Sequence, residues 1–166
     1  MPGSWKSDEF PRLATGNHVI TSPATRRYNC IAWVAGEVTR KWWPDPRNIG
    51  WWPAGVKRAE TIEAFVEAYG TLGFRLCYDG SLQPGVEKVA IFGIRPSENE
   101  LPIPTHAALQ LESGEWSSKL GDFEDISHSP VDAVAGPLYG TVICFLERQR
   151  TSDTPRVLRA RASTTF

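Results

Sequence analysis

A chain of 166 residues is one domain's worth, and its 41% apolar and 22% charged content excludes an intrinsically disordered protein. Eighteen Lys and Arg against nineteen Asp and Glu give a formal charge of −1, which leaves no field to draw nucleic acid or an acidic membrane surface. No apolar run approaches the roughly 18–20 residues that span a bilayer, and Met1–Phe10 lacks the basic-then-apolar order of an export signal. The expectation is a soluble cytoplasmic protein, unless a secretion system that reads no N-terminal signal delivers it. Three cysteines, Cys30, Cys77 and Cys144, have no CxxC spacing, so neither a disulfide framework nor a structural metal site is suggested.

Residues 1–27 are polar and interrupted by Gly3, Pro11, Gly16 and Pro23, and read as an arm wrapping the domain. From Tyr28 the apolar positions Ile31, Trp33, Val34 and Val38 take helical spacing. The spacing predicts a helix of about ten residues that starts at Asn29-Cys30, with Asn29 as its cap. The segment 42–56 carries three Pro and two Gly, which forbid a long helix, together with two Trp pairs, Trp42-Trp43 and Trp51-Trp52. Such a loop either caps the core or presents Trp at a cleft rim to stack on a ligand, hold a partner, or act as a lid.

Glu60–Leu72 places Ile62, Phe65, Val66, Tyr69 and Leu72 on one stripe, so a second helix is expected there, stopped by Gly73. Beyond it the period becomes that of strands: 74–78, 86–94, 106–111, 115–119 and 139–146, with Ser113-Gly114 as a tight hairpin turn. Asp122–His128 holds three carboxylates and a His but no helical His pair, and reads as a solvated loop rather than a metal site; a turn of helix follows at 130–135. Residues 151–166 read as a flexible tail. The fold class expected is α+β, with N-terminal helices packed on a small antiparallel sheet over residues 28–150.

A thiol at a helix N-terminus feels the positive end of the dipole, which favours the thiolate that attacks a carbonyl carbon. Cys30 occupies that position. Of the three His, His106 opens a strand after a Pro-containing loop, a rigid mount for a partner base.

The run Tyr28-Asn29-Cys30-Ile31-Ala32-Trp33, followed by His106-Ala107-Ala108-Leu109-Gln110-Leu111-Glu112-Ser113-Gly114, resembles the papain-like cysteine peptidase superfamily, most closely its compact NlpC-type branch of cell-wall amidases and endopeptidases. The likeness covers about residues 28–119. It implies a nucleophile at Cys30, a base at His106 and a His-orienting polar residue about twelve positions on, at Ser118, with Asp122 or Asp125 as alternatives. Tyr28, Asn29, Trp42, Trp43, Trp51 and Trp52 are then candidates to line the substrate cleft. The motifs YNC, WWP, THAA, SKLG and GPLYG also resemble a bacterial family of unassigned function.

The function expected is a thiol-dependent hydrolase or acyl transferase acting on amide, isopeptide or related bonds of a peptide or protein substrate, without cofactor or metal. The rival is a non-catalytic protein- or peptide-binding module of the same fold that uses the Trp-rich loop.

Overall fold

A computed structural model describes residues 8–13 and 16–151. The expected tail lies outside the described residues from 152 onward. Among the described residues, the helices α1 (Cys30–Val34) and α2 (Ile62–Gly70) accompany the strands β1 (His18–Ser22), β2 (Arg75–Cys77), β3 (Val86–Ile94), β4 (Ile103–Gln110), β5 (Trp116–Lys119), β6 (Asp125–His128) and β7 (Thr141–Gln149). The strands form one antiparallel sheet in the order β1-β6-β5-β4-β3-β7-β2. The protein is α+β.

The sheet divides the interior into two layers because side chains of a strand alternate between its faces. Val89 and Ile91 of β3 and Ala107 and Leu109 of β4 join α1, α2 and the Trp loop in one apolar cluster. Ala90 and Phe92 of β3 and Ala108 of β4 join Phe10, Trp116, Ile126, Val134 and Tyr139 in the other. Burial on both faces explains why β3 and β4 read as near-continuous apolar runs. Phe10 brings the N-terminal arm onto the second face, and a 3-10 turn at Val131–Val134 completes that layer.

Four expectations change. The arm contributes a strand: β1 pairs with β6, His18 opposite His128, and its Val19 and Ile20 face solvent at the sheet edge, so their pattern resembled a polar arm. The first helix has five residues instead of ten, because Gly36 adopts φ +83° and Val38 never joins it. β4 begins earlier than position 106, at Ile103, and bulges against Phe92-Gly93 of β3. The Asp122–His128 stretch is a solvated turn only as far as Glu124: Asp125–His128 is the buried strand β6, paired with β5.

α2 follows its predicted stripe closely, with Thr61 accepting the Ala64 N–H at 3.1 Å as N-cap and Ala64, Phe65, Ala68 and Tyr69 buried. Trp33 anchors α1 by donating its indole N–H to Ser117 Oγ at 2.9 Å.

The turn before β7 is held where β4 and β7 bulge against β3. Gly140 has φ +71°, and a Cβ there would sit 2.1 Å from the Gly93 carbonyl oxygen, a backbone atom that cannot swing away. Gly140→Ala is expected to cost about 2–4 kcal/mol in urea unfolding, from positive-φ strain and forced separation of two backbones; a loss below ~1 kcal/mol would mean the turn relaxes freely.

Candidate functional site

Asn29 holds both the start of α1 and the Trp loop. Its Oδ1 accepts the backbone N–H groups of Ala32 and Trp42, each at 3.1 Å, and its Nδ2 donates to the Trp42 carbonyl at 2.7 Å. One amide therefore locks the candidate nucleophile's helix to the aromatic segment. A cavity of about 500 Å³ opens there, lined by Asn29, Cys30, Thr105 and Tyr139 on the sheet side and by Lys41, Trp43, Asp45, Ile49, Gly50, Gly121 and Asp122 at its mouth. A larger cavity of about 650 Å³, around Leu72, Arg75, Glu147 and Arg148, contains none of the candidate residues.

The other expected cleft residues separate. Tyr28 is fully buried, its ring stacked on Trp33 and its hydroxyl donating to Asp125 Oδ2 at 2.7 Å, so it is core rather than cleft wall. Trp42 and Trp52 are also core, packed on Trp51 and Phe65 respectively. Trp43 lines the cavity with its indole N–H donated to Glu60, and Trp51 lines an adjoining one. Half of the Trp loop thus caps the core, and the other half lines cavity walls.

Cys30 is 5% exposed, and its sulfur rests on the backbone of β4, 4.0 Å from the Thr105 carbonyl oxygen. Peptide groups on either side of His106 hold it, because the Ala107 N–H is also directed at the sulfur. Burial pushes the thiol up to about 11, and the N–H groups of Ala107, Ile31 and Cys30 together with the Lys119 charge offset this only in part. The expectation of a lowered thiol is overturned: a helix of one and a half turns supplies too little dipole to repay desolvation.

His106 is fully buried between Phe92 and Tyr139, its ring parallel to the Tyr139 ring at 4.0 Å. Its Nε2 lies 3.0 Å from Ser118 Oγ, the partner that the family resemblance implies. Ser118 in turn lies 2.8 Å from His128 Nε2, whose ring meets the Pro130 carbonyl through Nδ1 at 3.0 Å. A carbonyl can only accept, so His128 donates from Nδ1 and accepts at Nε2. Ser118 therefore donates to His128 and accepts from the Nε2–H of His106, which leaves His106 Nδ1 an unprotonated acceptor. That nitrogen is buried and has no hydrogen-bond partner among the described residues. Burial, then the neighbouring His128, holds His106 well below 6.5; burial takes His128 down to about 4 against the Pro130 hydrogen bond. Both rings are neutral at pH 7.

His128 is the site residue that sequence reasoning missed. Its signal was the alternation Asp125-Ile126-Ser127-His128, which places His128 on the face of Ile126 and Ser118 once β6 pairs with β5. The alternatives to Ser118 do other work. Asp122 pairs with Lys41 at 3.0 Å, and Asp125 accepts from Tyr28 and Ser22 on the other face of the sheet. Cys30 and His106 meet the same stretch of β4 from different layers, Cys30 with Ala107 in the helix-side cluster and His106 against Phe92 and Tyr139 of the other, and among the described residues no hydrogen bond joins thiol to imidazole. No group of three His, Cys, Asp or Glu suited to a metal occurs among the described residues, and none of their helices is long and apolar enough to cross a membrane.

Compared with known proteins, residues 19–147 match the family model described as Domain of unknown function (DUF7689). No curated protein matches. No solved structure matches either.

Proposed function

The chain belongs to the family Domain of unknown function (DUF7689), and from its own geometry we propose that it is a papain-like thiol hydrolase or acyl transferase acting on a peptide or protein carbonyl at the Cys30 cleft. The observation that carries this reading is the chain Pro130–His128–Ser118–His106. It fixes the tautomer of His106 and leaves a bare, buried base nitrogen on the residue whose flanking peptide groups cradle the sulfur. An unsatisfied buried acceptor costs about 1–3 kcal/mol, so its persistence calls for a use.

In this reading the thiol stays protonated at rest. As the sulfur bonds to the substrate carbonyl carbon, His106 Nδ1 takes the thiol proton, and it returns that proton to the leaving amine as the C–N bond breaks. First-turn N–H groups of α1 face the developing oxyanion. Water or an acceptor amine then releases the acyl group from Cys30.

The test is acylation of Cys30 by p-nitrophenyl acetate, followed by mass spectrometry across pH 6–11. With His106 as base, the rate is flat from about pH 6.5 upward, because the neutral imidazole is already present. A thiol acting alone gains about tenfold per pH unit until it ionises near 11. His106→Gln is expected to slow acylation at pH 7 by about 100-fold and Ser118→Ala by about tenfold. Unchanged rates in His106→Gln would overturn the reading.

A second reading, a peptide-binding module without turnover, is favoured by the 5% exposure of Cys30 and its raised thiol, together with Ile49, 71% exposed at the cavity mouth.

A further inference from the structure

A second cavity of about 490 Å³ adjoins the Cys30 cleft, and the two share Lys41, Ile49 and Gly50 as a common wall. Arg40, Asn48, Trp51 and Arg58 complete its lining. Three cationic side chains thus face it and, among the described residues, no carboxylate does. Arg58 is held by donating Nη1 to the Asp45 carbonyl and Nη2 to the Gly50 carbonyl, each at 2.9 Å. Both acceptors are neutral; the Asp45 carboxylate is near enough to feel the Arg58 charge, but among the described residues no carboxylate meets that guanidinium at hydrogen-bond distance. The Arg40 guanidinium lies 4.1 Å above the Trp51 ring while its Nε is 2.6 Å from Glu37, and Lys41 reaches Asp122 at 3.0 Å. Glu37 and Asp122 balance two of the three charges from outside the cavity. The inner cleft has the opposite bias, Asp45 and Asp122 against Lys41.

We propose that this outer cavity is a carboxylate subsite: an extended peptide with its reacting carbonyl at Cys30 places a carboxylate between Arg40, Lys41 and Arg58, with its aliphatic stem against Trp51 and Ile49. The inference rests on the reading of the Cys30 cleft as a peptide site and adds its preferred substrate. Planar guanidiniums held by stacking and by backbone carbonyls meet a carboxylate with little further ordering. A side-chain carboxylate and a peptide C-terminus share this chemistry.

Binding to the full-length Cys30→Ser protein, followed by calorimetry, separates them. The probes are Ala-based pentapeptides, acetylated and amidated, with Glu, Gln or Lys at each position in turn, and the unsubstituted peptide as free acid or amide. At about 0.05 M salt one Glu position is expected to bind at least about fivefold tighter than Gln, with Lys weaker still, and the margin to fall below about twofold at 0.5 M salt. A C-terminal subsite shows the same margin for free acid over amide instead. The exposed double variant Arg40→Gln/Lys41→Gln, checked for an unchanged unfolding midpoint, is expected to erase most of the margin. Equal binding of Glu and Gln at every position, with no advantage for the free acid, would overturn the subsite. Because no thiol chemistry enters, a carboxylate preference that persists while His106→Gln leaves acylation unchanged would retain the subsite and retire the enzyme reading.

Discussion

Acidifying the protein from pH 7 to pH 4 is expected to remove about 3 kcal/mol of stability through His128 alone, with His106 adding to the loss. Both imidazoles are bases whose folded-state affinity for protons is depressed by burial. The unfolded chain therefore binds protons first, beginning near pH 6.5, and folding stability is complete above that value. It declines as pH falls, until His128 itself takes a proton at about 4. His106, held lower, continues the decline. The structural consequence is specific, since a protonated His128 can no longer accept from Ser118 and the tautomer of His106 loses its support. Asp79, Asp45 and Asp122, held below the usual carboxylate range by partners at hydrogen-bond distance, weaken only below about 4, which keeps the two windows apart. Urea unfolding at pH 7, 5.5 and 4.5 measures the effect, and His128→Gln should reduce the slope over that interval to the share that His106 contributes. A wild-type profile already flat between pH 6.5 and 4.5 would contradict the neutral, buried pair.

The second large effect is expected at Trp33. Its side chain is 2% exposed, stacks on Tyr28 and donates to Ser117, joining α1 to β5 through one residue. Trp33→Ala leaves a cavity in the helix-side core and a buried hydroxyl without its donor, at a cost of about 3–5 kcal/mol. Trp33→Phe keeps most of the volume and loses the hydrogen bond, costing about 1–2 kcal/mol. Because α1 carries Cys30 as its first residue, loosening the helix should also raise iodoacetamide labelling of that thiol at pH 8 in Trp33→Ala. A loss of under ~1 kcal/mol for the alanine variant would show that Asn29 alone secures α1.

The stripe Ile62-Phe65-Tyr69, the apolar run of β3 and the Ser113-Gly114 hairpin were legible because each depends on periods and turn chemistry confined to a few neighbouring residues. Ser118 as partner of His106 came instead from the resemblance to the papain-like superfamily, and the β4–β5 hairpin is what brings the two together. β1 and β6 escaped that reading: an edge strand with exposed Val19 and Ile20, and a strand that buries Asp125 and His128, contradict local polarity and exist through long-range pairing, β1 with β6 and β6 with β5. The four Trp look equivalent in the chain, yet only packing sorts Trp42 and Trp52 into the core and Trp43 and Trp51 onto cavity walls. Thiol ionisation was misjudged for a related reason, because the dipole of α1 belongs to the helix whereas desolvation belongs to everything folded over it. Composition and periodicity thus determined the α+β class, the second helix and the candidate Cys and His, and the family resemblance added the candidate Ser. Tertiary structure alone decided the seven-stranded order, the entry of His128 and the charge states of Cys30 and His106, because burial and long-range pairing are properties of residues distant in the chain.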